Sequence, residues 1–243
     1  MNQYLNLSFS MRGFFIPLLP NYQKLEKQLI IVAGGQGKRM NSDIPKQFLV
    51  ISGKPLLMHT IERFHYFSSE IKIFVVLPTS HFELWKSLCK KYDFTISHIL
   101  VEGGKTRFLS VKNGLEKIKN ECIVAIHDGA RPLVNHNTIS NTFTLAEKKG
   151  NAIPVFGINE SMRVIKHEKS SPVNREKYRL VQTPQCFNSK LIKEAYSQEY
   201  MKEFTDDASV VEAMGIKVNL SEGNAENIKI TRQVDFKIAE AFL

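Results

Sequence analysis

The chain reads as an α/β protein: a mostly parallel sheet sandwiched by helices, with a protruding β-arm. Three observations predict this. Apolar strand-like runs alternate with amphipathic helical stretches from residue 29 onward. The runs are apolar on successive residues, as strands buried on both faces require. The rhythm breaks once, over about residues 157–182, where a polar stretch is flanked by extended segments.

The first strand, residues 29–32, runs into Ala33-Gly34-Gly35-Gln36-Gly37-Lys38-Arg39 and, after a short polar loop, Pro45-Lys46-Gln47-Phe48. Gly53-Lys54-Pro55 opens a helix with Leu57, Ile61 and Phe64 on one face. Residues 71–77 form a strand, and Phe82, Trp85 and Cys89 stripe the next helix. A strand over 96–101, a helix marked by Val111, Leu115 and Ile118, and a strand over 122–126 follow. A helix near 138–149 leads to the strand 152–156. Residues 162–167 and 178–182 are expected to be extended and joined by the polar stretch 168–176. That hairpin has too few apolar residues to bury itself, so its cover is expected from a partner chain. A helix near 189–196 comes next, then one capped by Thr205 with Asp206 and Asp207 in its first turn, ending at Gly215. A short strand at 218–220 and a helix showing Val234, Ile238 and Phe242 complete the chain. The alternation is Rossmann-like, and in such sheets ligands gather at the carboxyl ends of the strands.

At 243 residues the length suits one large α/β domain or a domain with an appendage. The formal charge of +9 fits anionic ligands without choosing among phosphorylated metabolites, nucleic acid and a membrane surface. No long Lys/Arg block interleaved with aromatics occurs, so no nucleic-acid partner is expected. Cys89, Cys122 and Cys186 are odd in number and far apart, offering neither a disulfide framework nor metal-ligand spacing, and a cytoplasmic location is expected. Residues 1–27 contain an apolar stretch, 13–20, too short to span a bilayer and broken by prolines, so no membrane partner is expected. The expectation for this extension is a disordered tail, or a start placed too early with Met11 as the true first residue, ahead of a targeting segment.

Small residues at 33–37 let a backbone approach a nucleotide, and the free N–H groups of such a turn suit phosphate oxygens. Arg39 and Lys46 stand seven positions apart, where both could reach one polyphosphate. A Walker loop is excluded because Lys38 is followed by Arg39, with no hydroxyl for magnesium; a dinucleotide fingerprint is excluded because Met40 holds the third glycine position. Chemistry on a nucleoside triphosphate remains. Further on, Gly103-Gly104-Lys105-Thr106-Arg107 with Ser110 follows a strand, where glycines and a hydroxyl could read a base edge. His127-Asp128-Gly129-Ala130-Arg131-Pro132 also leaves a strand. Asp128 could bind a ribose hydroxyl or help hold magnesium, or pair with Arg131 to pin the loop. His127 reads as packed beside the strand end. Asn227-Ile228-Lys229-Ile230-Thr231 sets Lys229 between apolar neighbours that turn it from solvent.

These motifs, in this order, resemble the nucleotidyltransferases that activate sugar or polyol phosphates, specifically the methylerythritol-phosphate cytidylyltransferase (IspD) family. The resemblance covers residues 28–243 as one nucleotidyltransferase domain and implies a homodimer clasped through the arm. It implies Arg39, Lys46 and Lys229 around the α-phosphate, and Ala33, Gly34, Gly35, Gly37, Gly104, Arg107, Ser110, Asp128 and Gly129 at CTP. It implies Arg131, Ser161 and Thr183 at the acceptor and, from the neighbouring subunit, Arg175 gripping the acceptor's phosphate. Mg²⁺ would be held mostly by the CTP phosphates, with Asp128 as its candidate protein ligand. The family form H-D-A-A-R-P differs from this chain at Gly129 by a methyl group; Ser161 stands for a more usual Thr, and Glu226 for Asp. The implied reaction joins CTP and 2-C-methyl-D-erythritol 4-phosphate, releasing pyrophosphate, in non-mevalonate isoprenoid synthesis. Ribitol 5-phosphate is the alternative acceptor. A non-catalytic nucleotide- or RNA-binding protein is the more distant alternative, disfavoured because binding alone does not require three cations around the α-phosphate.

Overall fold

The computed structural model describes residues 25–35 and 44–243. The extension before residue 25, and Gly37 and Arg39 of the glycine-rich turn, lie outside the described residues.

Strand β1 (Glu26–Val32) is flanked by parallel neighbours on both edges, β4 (Lys72–Leu77) and β6 (Cys122–Asp128). Strand β5 (Ile99–Glu102) continues the parallel sheet beyond β4. On the other side β11 (Gln185–Asn188) runs antiparallel between β6 and β7 (Asn151–Phe156). The other edge of β7 carries β12 (Leu220–Glu222), parallel to it. A small antiparallel pair, β2 (Val50–Ile51) and β3 (Lys54–Pro55), precedes the first helix.

Alternation along the central strands divides the core into two layers. Leu29, Ile31, Ile73, Val75, Ile123 and Ala125 face one side, packing with Leu57, Ile61 and Phe64 of α1 (Leu56–Phe67), Trp85 of α2 (Phe82–Lys91) and Phe143 of α4 (His136–Lys149). Ile30, Phe74, Val76, Val124 and Ile126 face the other, against Val111 and Leu115 of α3 (Arg107–Glu116), Ile192 of α5 (Ser189–Ala195) and Val211 of α6 (Asp207–Glu212). A mostly parallel sheet between two helical layers is therefore the fold. The helices start and stop where local chemistry dictates. In α4 the Asn135 side chain accepts from Thr138 N at 2.8 Å, and Gly150, at φ +84°, closes the end with Lys148 and Lys149 in the last turn. Among the described residues no helix is long and apolar enough to cross a membrane.

Six local expectations change. The hairpin pairs β8 (Met162–Lys166) with β9 (Lys169–Val173), so its return strand lies inside the stretch expected to be a connection. His167 and Glu168, both at positive φ, make a two-residue turn that fits the twist of the hairpin. Leu180–Val181, as β10, joins β7 instead. The strand expected over 96–101 begins only at Ile99, and that at 218–220 begins only at Leu220. Helix α6 is capped by Asp206, not Thr205: Asp206 accepts from Ser209 N at 2.9 Å and Ser209 Oγ accepts from Asp206 N at 3.2 Å. In the last helix, α7 (Gln233–Glu240), the stripe Val234, Ile238 and Phe242 is exposed, and Phe236 and Ala239 seat the helix on Leu56, Leu133 and Ile230.

Candidate active site

The sheet reverses its winding at β1, with β4 added on one edge and β6 on the other, and the loops leaving these strands part to form a cleft. Backbone bonds knit the strand ends: Gly129 N donates to Val32 O (2.9 Å), Ala33 N to Val76 O (3.0 Å) and Gly103 N to Leu77 O (2.8 Å). The cleft is lined by Ala33, Gly34 and Gly35 after β1, by Lys46, by Gly104 through Arg107 with Ser110, by Asp128 and Gly129, and by Lys229. Every described residue expected at the nucleotide thus converges on one cleft. Gly129 packs so closely on β1 that a methyl group there would meet Ala33 Cβ at 2.8 Å.

Asp128 sits at the centre, only 7% exposed. Its carboxylate faces Lys229 Nζ at 3.0 Å, Arg131 Nε at 3.3 Å and Arg107 Nε at 3.6 Å. Burial pushes this carboxyl up, but Arg107, Lys229 and Arg131 together outweigh burial and hold it well below the usual carboxylate range. The Asp–Arg pairing and a place in the cleft lining are therefore both present. Two of the three cations have second anchors; the third, Lys229, was expected to be turned from solvent, but its side chain is 42% exposed. The Arg107 guanidinium makes a two-pronged bond to Asp207 (2.9 and 2.7 Å), and Arg131 Nη1 donates to Asn227 O at 2.7 Å. Lys46 donates to Ile230 O at 2.8 Å, joining the segment after β1 to the segment that carries Lys229.

The second glycine turn is held by Ser110, whose Oγ accepts from Gly104 N (3.1 Å) and donates to Thr106 O (2.9 Å). Thr106 caps α3 by accepting from Leu109 N at 3.1 Å. Gly104 is required here: a Cβ would stand 2.3 Å from Leu109 Cβ.

Behind the cleft, His127 is fully buried beside Phe64. Thr183 Oγ1 accepts from Asp128 N (3.1 Å) and donates to His127 Nδ1 (3.0 Å), while His127 Nε2 donates to the Arg131 carbonyl (3.0 Å). This assignment follows from the chain of partners. Burial lowers the His127 pKa to about 4. Between its ordinary value of about 6.5 and about 4, the unfolded chain binds a proton that the folded protein does not, so stability falls as pH drops through that window, by on the order of 3 kcal/mol. His59 and His98, also lowered by burial, act in the same direction. Urea unfolding at about pH 7.5 and about pH 5 is expected to show this loss, and His127→Gln to shrink it. An unchanged difference in the variant would assign the acid sensitivity elsewhere.

Not every expected acceptor residue reaches this cleft in one chain. Thr183 is buried and its hydroxyl is committed as above, and Arg131 lies behind Asp128. Ser161 is exposed at the base of the arm. Arg175 donates to Asn159 O and lines a separate cleft with Val155 and Glu222.

Two contributors escape sequence reasoning. Asp207, fully buried and further held by Tyr196 Oη at 2.6 Å, fixes Arg107 from a hundred positions away. Asn227 holds Arg131 through its carbonyl and donates to Thr183 O at 2.9 Å through Nδ2. Asp207 gives no local signal beyond an acidic helix start, whereas Asn227 lies inside a motif already singled out.

A sequence model of the family described as IspD, 2-C-methyl-D-erythritol 4-phosphate cytidylyltransferase, matches residues 28–243. The enzyme of that description from Phocaeicola vulgatus is 51% identical over 219 residues, covering 90% of this chain and 100% of the relative. Its counterpart from Bacteroides thetaiotaomicron is 49% identical, with the same coverage. The crystal structure of the Thermus thermophilus enzyme superposes with a TM-score of 0.73 at 31% identity, over 90% of this chain and 98% of that one. The bifunctional IspDF from Campylobacter jejuni superposes at 0.74 with 32% identity over 88% of this chain, which spans 54% of that longer protein. By the extent and agreement of these matches, the chain belongs to the IspD family of cytidylyltransferases.

Proposed function

We propose that the chain transfers the cytidylyl group of CTP to 2-C-methyl-D-erythritol 4-phosphate, giving 4-diphosphocytidyl-2-C-methyl-D-erythritol and pyrophosphate, as a cytoplasmic step of non-mevalonate isoprenoid synthesis. The observation that carries this reading is the family match over residues 28–243 together with a cationic cleft at the carboxyl ends of β1 and β6.

The acceptor phosphate is already a nucleophile at neutral pH, so the reaction needs no general base. The obstacle is the approach of one anion to another and the departure of a highly charged pyrophosphate. Positioning and charge stabilisation answer both. In this reading Lys46 and Lys229, with Arg39, surround the α-phosphate and leaving group. Gly34 and Gly35, with Gly37, cradle the phosphate chain; Gly104 and Ser110 present backbone groups to the base, with Arg107 alongside. Asp128 orients Lys229 and faces the ribose side with Gly129.

The cleft fits a divalent cation that arrives on the triphosphate. Asp128 is the single carboxylate among its described lining residues, and three cations already surround it. Among the described residues no group of three metal-ligating side chains exists. Asp128 would be the candidate protein ligand to a Mg²⁺ ion otherwise held by phosphate oxygens. When bound, the ion would neutralise charge on the triphosphate.

The acceptor subsite is completed by a second copy of the chain. The arm leaves Ile165 75% exposed and almost every other residue of β8 and β9 open to solvent. Clasping a partner would cover these residues and carry Arg175 and Ser161 of one protomer towards the acceptor phosphate bound by the other.

The test is magnesium-dependent pyrophosphate release from CTP with 2-C-methyl-D-erythritol 4-phosphate and ribitol 5-phosphate offered separately. Release with the first alone is expected. Release with ribitol 5-phosphate alone would move the chain to polyol activation, and strong RNA binding without release would remove it from catalysis.

A further inference from the structure

One side chain in the cleft is left without partners. Gln47 sits in the middle of a single 3₁₀ turn, Lys46–Phe48, and is 2% exposed, yet neither its Oε1 nor its Nε2 has a hydrogen-bond partner. Among the described residues it is the one side chain with both polar ends buried and unsatisfied. A buried carboxamide with both ends unpaired is costly, and an apolar side chain of similar size would fill the space without that cost. Its position is also fixed. Phe48 stacks on Trp85 with ring centroids 5.9 Å apart and meets His81 edge-on at 5.6 Å, while Phe48 N donates to Pro45 O at 2.8 Å. The turn cannot rotate Gln47 away without dismantling that aromatic cluster.

Gln47 lines the cleft together with Lys46 and Lys229. Lys46, beside it, reaches Ile230 O, next to Lys229, and its Cε lies 3.9 Å from where a Cβ on Gly35 would stand. The glycine turn, Lys46, Lys229 and Gln47 therefore share the wall of one cleft. We infer that Gln47 is a phosphate-reading residue: its carboxamide N–H donates to the phosphate chain of the bound nucleoside triphosphate, a ligand that satisfies in the complex the Nε2 donor that the free protein leaves unpaired. The inference rests on the nucleotide reading above and adds to it a neutral donor beside Lys46. A neutral donor discriminates by geometry where the lysines discriminate by charge.

The test compares the wild-type protein with Gln47→Met, which keeps the volume and removes both polar ends. Calorimetry with CTP and with cytidine, and thermal unfolding without ligand, give three readouts. The expected result is about tenfold weaker CTP binding, the size of one lost hydrogen bond to a charged group, with cytidine binding unchanged and the ligand-free protein as stable as wild type or more so. CTP affinity within about twofold of wild type, or equal losses for CTP and cytidine, would overturn the inference. A CTP loss accompanied by destabilisation of the ligand-free protein would also count against it, since that is the signature of a structural role. Should Gln47→Met fail to fold, Gln47→Glu carries the same comparison: repulsion is expected to weaken CTP more than tenfold while sparing cytidine, and equal CTP affinity would overturn the inference. Wild-type protein that binds no CTP would instead sink the nucleotide reading itself.

Discussion

Replacing Lys46 with alanine is expected to lower turnover by about 10²–10³, the cost of removing one preorganised donor from a developing charge. Lys46 stands on a rigid turn, stapled by Phe48 against Trp85, and its ammonium is already held at Ile230 O, beside Lys229. The group is in place before substrate arrives, which makes an electrostatic contribution large. If the role is specific to the transition state, kcat falls while the affinity for CTP changes little. Single-turnover pyrophosphate release together with CTP binding separates the two. Near-normal turnover would remove Lys46 from the mechanism; a loss confined to KM would make it a ground-state contact.

The second large effect is expected at Asp128. Asp128→Asn keeps the shape and removes the charge that three cations share. Breaking a buried ion pair from one side leaves the other side uncompensated. Here the cost is moderated, because Arg107 retains Asp207, Arg131 retains the Asn227 carbonyl and the Lys229 side chain is 42% exposed. A loss of about 3 kcal/mol in unfolding free energy follows, at the lower end for such a cut. The pH dependence carries the sign. A carboxyl whose folded pKa is depressed stabilises the fold above its unfolded pKa of about 3.9 and loses that stabilisation as pH falls through the folded value. The gap between wild type and variant should therefore stay constant from about pH 8 to about pH 5 and shrink only below about pH 4. A gap that closed near neutrality would mean that Asp128 is not held ionised by its neighbours. Activity should fall even where the variant remains folded, since Lys229 loses the group that orients it.

Much of the site was legible because its residues follow strands. The apolar runs of β1, β4 and β6 are legible, although β1 begins earlier, at Glu26, and β6 runs on through His127 and Asp128; the glycine turns follow their strands directly, and the His127–Pro132 motif straddles the carboxyl end of β6. Position after a strand therefore predicted convergence, and Asp128, Lys229 and Gly104 do meet in one cleft. The hairpin was legible as an arm but not in its register. Its return strand, Lys169–Val173, is polar and exposed on nearly every residue, so no apolar alternation announces it, and its turn uses His167 and Glu168 in place of glycine. The α7 stripe illustrates the opposite trap: spacing revealed the helix, but the protein presses Phe236 and Ala239 to the core and leaves Val234, Ile238 and Phe242 outside.

What sequence could not reach was pairing across long separations. Arg107 was expected beside the nucleotide, and it does line the cleft, yet its guanidinium is clamped by Asp207 a hundred residues later. Thr183 was expected at the acceptor, and its hydroxyl is tied to His127 and the Asp128 backbone, partners that no local pattern announces. Both are consequences of tertiary placement, to which local spacing is blind.

The most direct test of the central claim is the identity of the product. Phosphorus NMR of the protein with CTP, 2-C-methyl-D-erythritol 4-phosphate and Mg²⁺ is predicted to show the acceptor monophosphate signal converting into two coupled diphosphate-diester resonances, with one equivalent of free pyrophosphate and no orthophosphate. Unchanged acceptor in the presence of intact CTP, or hydrolysis of CTP without formation of the diester, would contradict the account.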